Sequence, residues 1–136
     1  MTTVAPSNAE TDIATQIQAL GFGTLGTTIF VNTRPESPDD LIAVFGYAGQ
    51  APDRNHSGEA IDNPGVQVWV RNTSNGTARQ IIEQIYQQID GTFNTFLSGT
   101  NYLRITALQC ASPMGKDDNN RSEYVVNFTC SKIRSY

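Results

Sequence analysis

Apolar residues recur with a helical period in two stretches of this chain, and with a strand period or in short unbroken runs in five others. The first helical stretch is signalled at Ser7, which forms a capping-box pattern with Glu10 three residues on. Ile13, Ile17 and Leu20 follow as one apolar stripe, and Gly21 and Gly23 stop it. Glu10, Asp12, Thr15, Gln16 and Gln18 form the outer face that this spacing predicts. The second helix is expected from about Thr77 to Gly91, with Ile81, Ile82, Ile85, Tyr86 and Ile89 on a wide apolar face and glutamines on the wet one. A face that wide should lie across a sheet.

The strand signals begin with Thr27–Asn32, which is β-branched and aromatic. Leu41–Tyr47 is apolar on both faces, as suits a central strand, and is expected to pair with Thr27–Asn32 as a hairpin with a long tip. In Val66–Arg71 the valines at 66, 68 and 70 share one face, and Gln67, Trp69 and Arg71 share the other. In Tyr102–Gln109, Leu103, Ile105 and Ala107 alternate with Tyr102, Arg104 and Thr106, and in Ser122–Ile133 the inward set is Tyr124, Val126, Phe128 and Cys130. Thr92–Thr100 fits neither template cleanly, although Phe93 and Phe96 are placed to pack under the helix end. Residues 34–40, 48–64 and 111–121 are polar and expected as mobile loops; the second exceeds the roughly 12–15 residues typical of a plain connection. Residues 1–6 are expected to be flexible. The order α, β, β, β, α, β, β predicts an α+β fold: a mixed, mostly antiparallel sheet of about five strands covered by two main helices, in a single domain over 1–136.

Composition narrows the function classes. With 136 residues the chain is long enough to bury one core without staples. A net charge of −4, with nine basic residues in no run, argues against a nucleic-acid grip, which needs clustered Lys and Arg. The N-terminus MTTVAPSNAETD has neither a basic start nor an apolar core, and no segment approaches the roughly 20 apolar residues of a membrane span. The expectation is therefore a chain made in a reducing cytosol, with no membrane association. In that setting Cys110 and Cys130 are expected as thiols rather than a bridge.

The chemical inventory is thin. His56, the sole histidine, sits among Asp53, Arg54, Ser57 and Glu59, but no glycine-framed serine offers an activated nucleophile. Asp39–Asp40, Asp62 and Asp117–Asp118 are acids in loops without the alternating ligand spacing of a calcium loop. Two cysteines and one histidine make no zinc pattern, and Gly21, Gly23 and Gly26 lack the Lys-Ser/Thr of a phosphate loop. No enzyme activity, cofactor or metal is expected. Trp69 is either covered by the helices or an anchor for a subunit contact. Arg71 and Arg104 are either solvated strand ends or partners for acids on a neighbouring copy.

Taken in order, these features resemble the tail terminator (tail-completion, minor capsid-like) proteins of long-tailed bacteriophages. The resemblance rests on a short N-terminal helix and strand pair. It continues in VQVWVR running through a polar turn into the alanine-led helix TARQIIEQIYQQIDG, and ends in SPMGKDDNNRSEYVVNFTC, where Gly115, Asp117 and Arg121 precede a closing strand with Asn127–Phe128. It covers most of Ala9–Arg134 and departs at the long 48–64 segment.

The resemblance implies a structural virion protein at the head-proximal end of the tail, assembled in the host cytoplasm. It implies a homo-oligomeric ring of six copies that caps the tail tube, ends its polymerisation and offers a joining surface to the head-closure or connector protein. DNA would pass through the ring unbound, which a mildly acidic protein favours. The candidate assembly-interface residues are then Arg34, Asp39, Asp40, Arg54, Trp69, Arg71, Arg104, Asp117, Asp118 and Arg121. Two other readings stay open: a neighbouring head-closure or connector protein, and a small cytosolic ligand-binding α+β domain, which would need a concave pocket with convergent polar groups.

Overall fold

The structure, a computed structural model, describes residues 8–54, 60–97 and 99–134. The expected flexible segment 1–6, the Ser7 cap and His56 lie outside the described residues. The elements run α1 (Ala9–Ala19), β1 (Ile29–Val31), β2 (Leu41–Arg54), β3 (Ala60–Asn72), α2 (Asn75–Ile89), β4 (Thr92–Leu97), β5 (Thr100–Ala107), β6 (Ser112–Lys116) and β7 (Ser122–Ile133). Seven strands form one mixed sheet in the order β1-β2-β3-β7-β5-β4, with β6 paired to the first part of β7.

The alternation seen in the sequence sets the inner face. β3 and β7 pair antiparallel with Val66 opposite Phe128, Val68 opposite Val126 and Val70 opposite Tyr124. These six side chains are buried, and onto them pack Ile13 and Ile17 of α1 and Ala78, Ile82, Ile85 and Ile89 of α2. Both helices therefore cover one face of the sheet. Fully burying one such Ile or Val stabilises by roughly 1.5–3 kcal/mol, so this layer is the main apolar term holding the helices down. Cys130 is buried in the same core, Cys110 is exposed, and both are free thiols.

α1 starts at Asn8, whose side-chain oxygen accepts the Thr11 N–H at 2.8 Å. Glu10 is not a capping-box partner; its carboxylate accepts from Asn32 Nδ2 at 3.1 Å. The helix ends as expected at Gly21, whose φ of +91° lets the Gly21 and Phe22 N–H groups return to the Gln18 and Ile17 carbonyls. Ser74 caps α2 by accepting the Thr77 N–H.

Several expectations are corrected. The sheet has seven strands, not about five, because Thr92–Leu97 and Ser112–Lys116 both pair. β1 and β2 are parallel, not a hairpin, since residues 32–40 carry the chain back to the end of the sheet at which β1 begins. Most of the 48–64 loop is strand: β2 and β3 continue as a hairpin arm, with Gln50 opposite Asn63 and Arg54 opposite Ala60. Asp12 is not on an outer face. It is 1% exposed and accepts the Tyr102 hydroxyl at 2.5 Å. A register shift between Tyr102 and Arg104 turns both Tyr102 and Ile105 inward, where strict alternation would separate them. Burial, reinforced by the Asp12 bond, holds the Tyr102 hydroxyl far above its ordinary pKa, so it stays the donor.

Candidate assembly surface

The side chains of interest gather where β2 and β7 begin and β3 ends, over the sheet face that the helices leave open. Residues 33–40 fold across this end. Pro35 and Pro38 bring carbonyls without N–H groups, and a turn rich in unpaired carbonyls needs donors from elsewhere. Arg71, 3% exposed, supplies them. Its Nη2 donates to the Pro35 and Pro38 carbonyls at 2.7 Å and to that of Glu36 at 3.2 Å, and its Nε donates to that of Asp39 at 3.1 Å. A guanidinium has five donors and no acceptor, so it suits a cluster of carbonyls.

A second buried guanidinium completes the latch. Arg121, also 3% exposed, donates from Nη1 to the Glu36 carbonyl at 2.7 Å and to Asp39 Oδ1 at 3.3 Å. Its Nη2 lies 3.1 Å from Glu36 Oε2, and its Nε donates to Asp117 Oδ2 at 2.8 Å. Asp117 also accepts the N–H groups of Asn119 and Arg121, which closes the turn before β7. These bonds, the Arg121 backbone N–H foremost, hold the Asp117 carboxyl below its usual pKa. Burial would lower Arg121, but its bonds to Asp117 and Glu36 raise it overall; Arg71 is lowered, by burial first and then by the Arg121 charge.

Around this pair stand the remaining members. Arg34 bonds Glu123 at 2.7 Å and lies 4.4 Å over the Trp69 ring. The Trp69 indole donates to Gln67 at 2.6 Å. Asp40 accepts the Thr73 N–H at 2.9 Å just ahead of the α2 cap, tying the loop to the helix. The structure thus brings together Arg34, Asp39, Asp40, Trp69, Arg71, Asp117 and Arg121, with Asp118 exposed on the same turn. Arg54 lies at the far end of β2, and Arg104 is exposed on β5 with its Nε bonded to Thr106. Arg71 is not a solvated strand end: it is 3% exposed, and its Nε and Nη2 donate to backbone carbonyls of the same chain. Trp69 is not covered by the helices, which lie on the other face, but is half-buried under Arg34.

Glu36, Asn119 and Glu123 complete the network and were not singled out by sequence reasoning. Glu123 was findable, since a β3–β7 pair in the observed register sets it opposite Arg71. Glu36 had no local signal beyond its place between two prolines.

The hollows on the open face are shallow and lined by few residues, one by Arg34, Phe45, Gln67 and Trp69 and another by Phe45, Tyr47, Gln67 and Asn127. Among the described residues no three His, Cys, Asp or Glu side chains are grouped to hold a metal ion. The charged groups here bind one another and the backbone, leaving a stiff, acid-rimmed surface with Glu36 82% and Asp39 68% exposed.

Comparison with known proteins places this geometry. A family model described as "Bacteriophage tail terminator protein" matches residues 16–133. A solved chain from "Virion of native gene transfer agent (GTA) particle" superposes with a TM-score of 0.57 at 13% identity, covering 93% of this chain and 95% of that one, which establishes a shared fold. A comparison with curated proteins finds no match. The family match runs from within α1 to the last residue of β7 and takes in every strand and the whole Arg71–Arg121 latch; this chain belongs to the bacteriophage tail terminator family, structural proteins of the phage tail.

Proposed function

We propose that copies of this chain form a ring on the finished tail tube, end its polymerisation and present the surface on which the head side is joined. The family match carries the reading. A tail tube that grows by stacking like on like has no stop of its own, since a heterologous contact leaves a fresh face after each addition. A terminator must match the tube at one face and refuse another tube ring at the other. This chain has two unlike ends to do so. The latched end carries the acid-rimmed 33–40 loop, and the other carries the β2–β3 arm, about 40 Å away along the strands.

In this reading the partners are further copies of the chain, six in the ring, together with the tail tube protein and the head-closure or connector protein. The ring sits at the head-proximal end of the tail and is assembled in the host cytoplasm, and DNA passes through it without specific binding. The candidate residues divide by role. Arg71 and Arg121 hold the surface from beneath, while Arg34, Asp39, Asp40, Trp69, Asp117 and Asp118 shape what it presents. Arg54 and Arg104 serve other contacts.

Electron microscopy of particles made without this chain tests the reading. Overlong tubes are expected. Finished tails of normal length beside heads that leak DNA would overturn it and point to head closure instead.

A further inference from the structure

At the latched end, the last row of the inner sheet face is polar. β3, β7 and β6 set Asn72, Ser122 and Lys116 side by side, with Ser122 between the other two. Ser122 lies two residues before Tyr124 on one strand, so alternation turns it to the face that the helices cover. That face runs out here under the first turn of α2, where the Tyr124 hydroxyl donates to Asn75 Oδ1 at 2.8 Å. A hollow of about 400 Å³ opens at this place, bordered by Asn75, Pro113, Gly115, Lys116 and Ser122.

Three kinds of donor around this hollow lack an acceptor. Ser122 is 2% exposed, and its Oγ is buried without a hydrogen-bond partner. A hydroxyl shut in that way costs about 1–3 kcal/mol unless a partner is supplied. The first N–H groups of a helix have no acceptor within it and form the positive end of its dipole. Ser74 takes those of Thr77 and Ala78, which leaves those of Asn75 and Gly76 without an acceptor among the described residues. No acid stands in the first turn of α2 to answer them. Lys116 is exposed and joins none of the ion pairs at this end, which are those of Arg34 and Arg121. Glu123 also borders the hollow, but its carboxylate is bonded to Arg34 at 2.7 Å on the open face. An ammonium, a hydroxyl and helix N–H groups around one space suit an anion. The exposed Glu36, Asp39 and Asp118 at the same end repel a chain of phosphates, so a single carboxylate fits best.

We propose that this hollow binds one carboxylate, an Asp or Glu side chain of the protein that docks on the latched end, held by Lys116, Ser122 and the first N–H groups of α2. The binding follows from the geometry; that the carboxylate belongs to an assembly partner rests on the ring reading above. Acetate is the probe, titrated into the whole chain at constant ionic strength against chloride and read by amide NMR. The Asn75, Gly76 and Ser122 amides should shift and saturate. Lys116→Gln and Ser122→Ala should each weaken acetate about tenfold, the worth of one hydrogen bond to a charged group. Lys116 is exposed, so Lys116→Gln keeps the fold whatever Ser122→Ala does. Shifts that chloride reproduces, or an affinity that Lys116→Gln leaves unchanged, overturn the site. Particles carrying Lys116→Glu, which sets an acid at the hollow, test the partner. Their infectious yield should fall to that of particles made without the chain, and a yield equal to the parent's would overturn the partner assignment. Finished tails beside leaking heads in particles without the chain would sink the ring reading alone, since the acetate result does not depend on it.

Discussion

Two arginines decide how one end of this molecule behaves. Arg121 joins the 33–40 segment to the turn before β7, so Arg121→Ala should free both. The Glu36 and Asp39 carboxylates are exposed enough to rehydrate, and the loss is chiefly that of the bonds to the Glu36 carbonyl and the Asp117 carboxylate, about 1–3 kcal/mol. The expected result is a melting point several degrees lower and rapid cleavage after Glu36 by a glutamyl endopeptidase. Arg121→Lys should not restore protection, because one ammonium cannot span the Glu36 carbonyl, Glu36, Asp39 and Asp117 together. A variant that melts and resists cleavage like the parent would show that the latch carries no weight. The acid side gives a second check. Asp62, bonded by Arg134, and Asp117 both titrate below their ordinary values in the folded chain. Their contribution is present above the unfolded carboxylate range, near pH 4, and is lost as pH falls through the lower folded values. Urea midpoints measured from pH 6 to pH 3 should fall, and fall less steeply in Asp62→Asn and Asp117→Asn. Sequence reasoning picked out Arg71 and Arg121 but assigned them outward. It put Arg71 on the correct strand face and Arg121 in the loop before β7, yet it did not show that residues 33–40 fold back over both, because a contact between positions 36 and 121 leaves no local periodicity to read.

At the scale of elements, the sequence was legible where one period dominated. The inward rows of β3 and β7 and the apolar face of α2 lie where alternation and helical spacing put them, because each buries a row against the same core. It was least legible where pairing is made of backbone. β4, β6 and the hairpin arm carry Asn, Gly and Pro in a strand ladder, residues that propensity assigns to loops. Strict alternation also failed in β5, where one register shift reverses the faces. These two kinds of element predict different mutational costs. Ile85→Ala removes a fully buried side chain from α2 and should destabilise by about 2–5 kcal/mol. Replacing Pro52–Ile61 by an Asn-Gly turn between Ala51 and Asp62 removes the exposed Pro52–Arg54 and only one buried residue among those described, Ala60, in a geometry that two-residue turn suits. The shortened chain should melt within a few degrees of the parent. Thermal melts of both variants decide it, and an arm deletion as costly as Ile85→Ala would mean the arm belongs to the folding core.

For the whole molecule, what matters is that the ends differ and are far apart. In the proposed ring, stiffening by Arg71 and Arg121 would let the acid-rimmed end dock with little ordering cost, since its loop is already bonded in place within the chain. The arm is braced by its own ladder, by the Asn63 bonds to Ala51 and Asp53, by the neighbouring end of β7 and by the Arg134–Asp62 ion pair, and its outer residues Pro52–Arg54 stay exposed. Two such surfaces suit a molecule that meets one partner with a rigid face and another with a reaching one. If they serve different partners, damage to each should stop assembly at a different step. Asp118→Lys combined with Asp40→Asn alters the latched end without touching Arg71 or Arg121, and the shortened arm alters the other end alone. One of these variants should yield overlong tubes, and the other capped tails of normal length that never join heads. Micrographs of particles grown on each variant give the answer. If both variants stop at the same step, the two ends share one partner, and tube matching and head joining must then be sought on the same face of the ring.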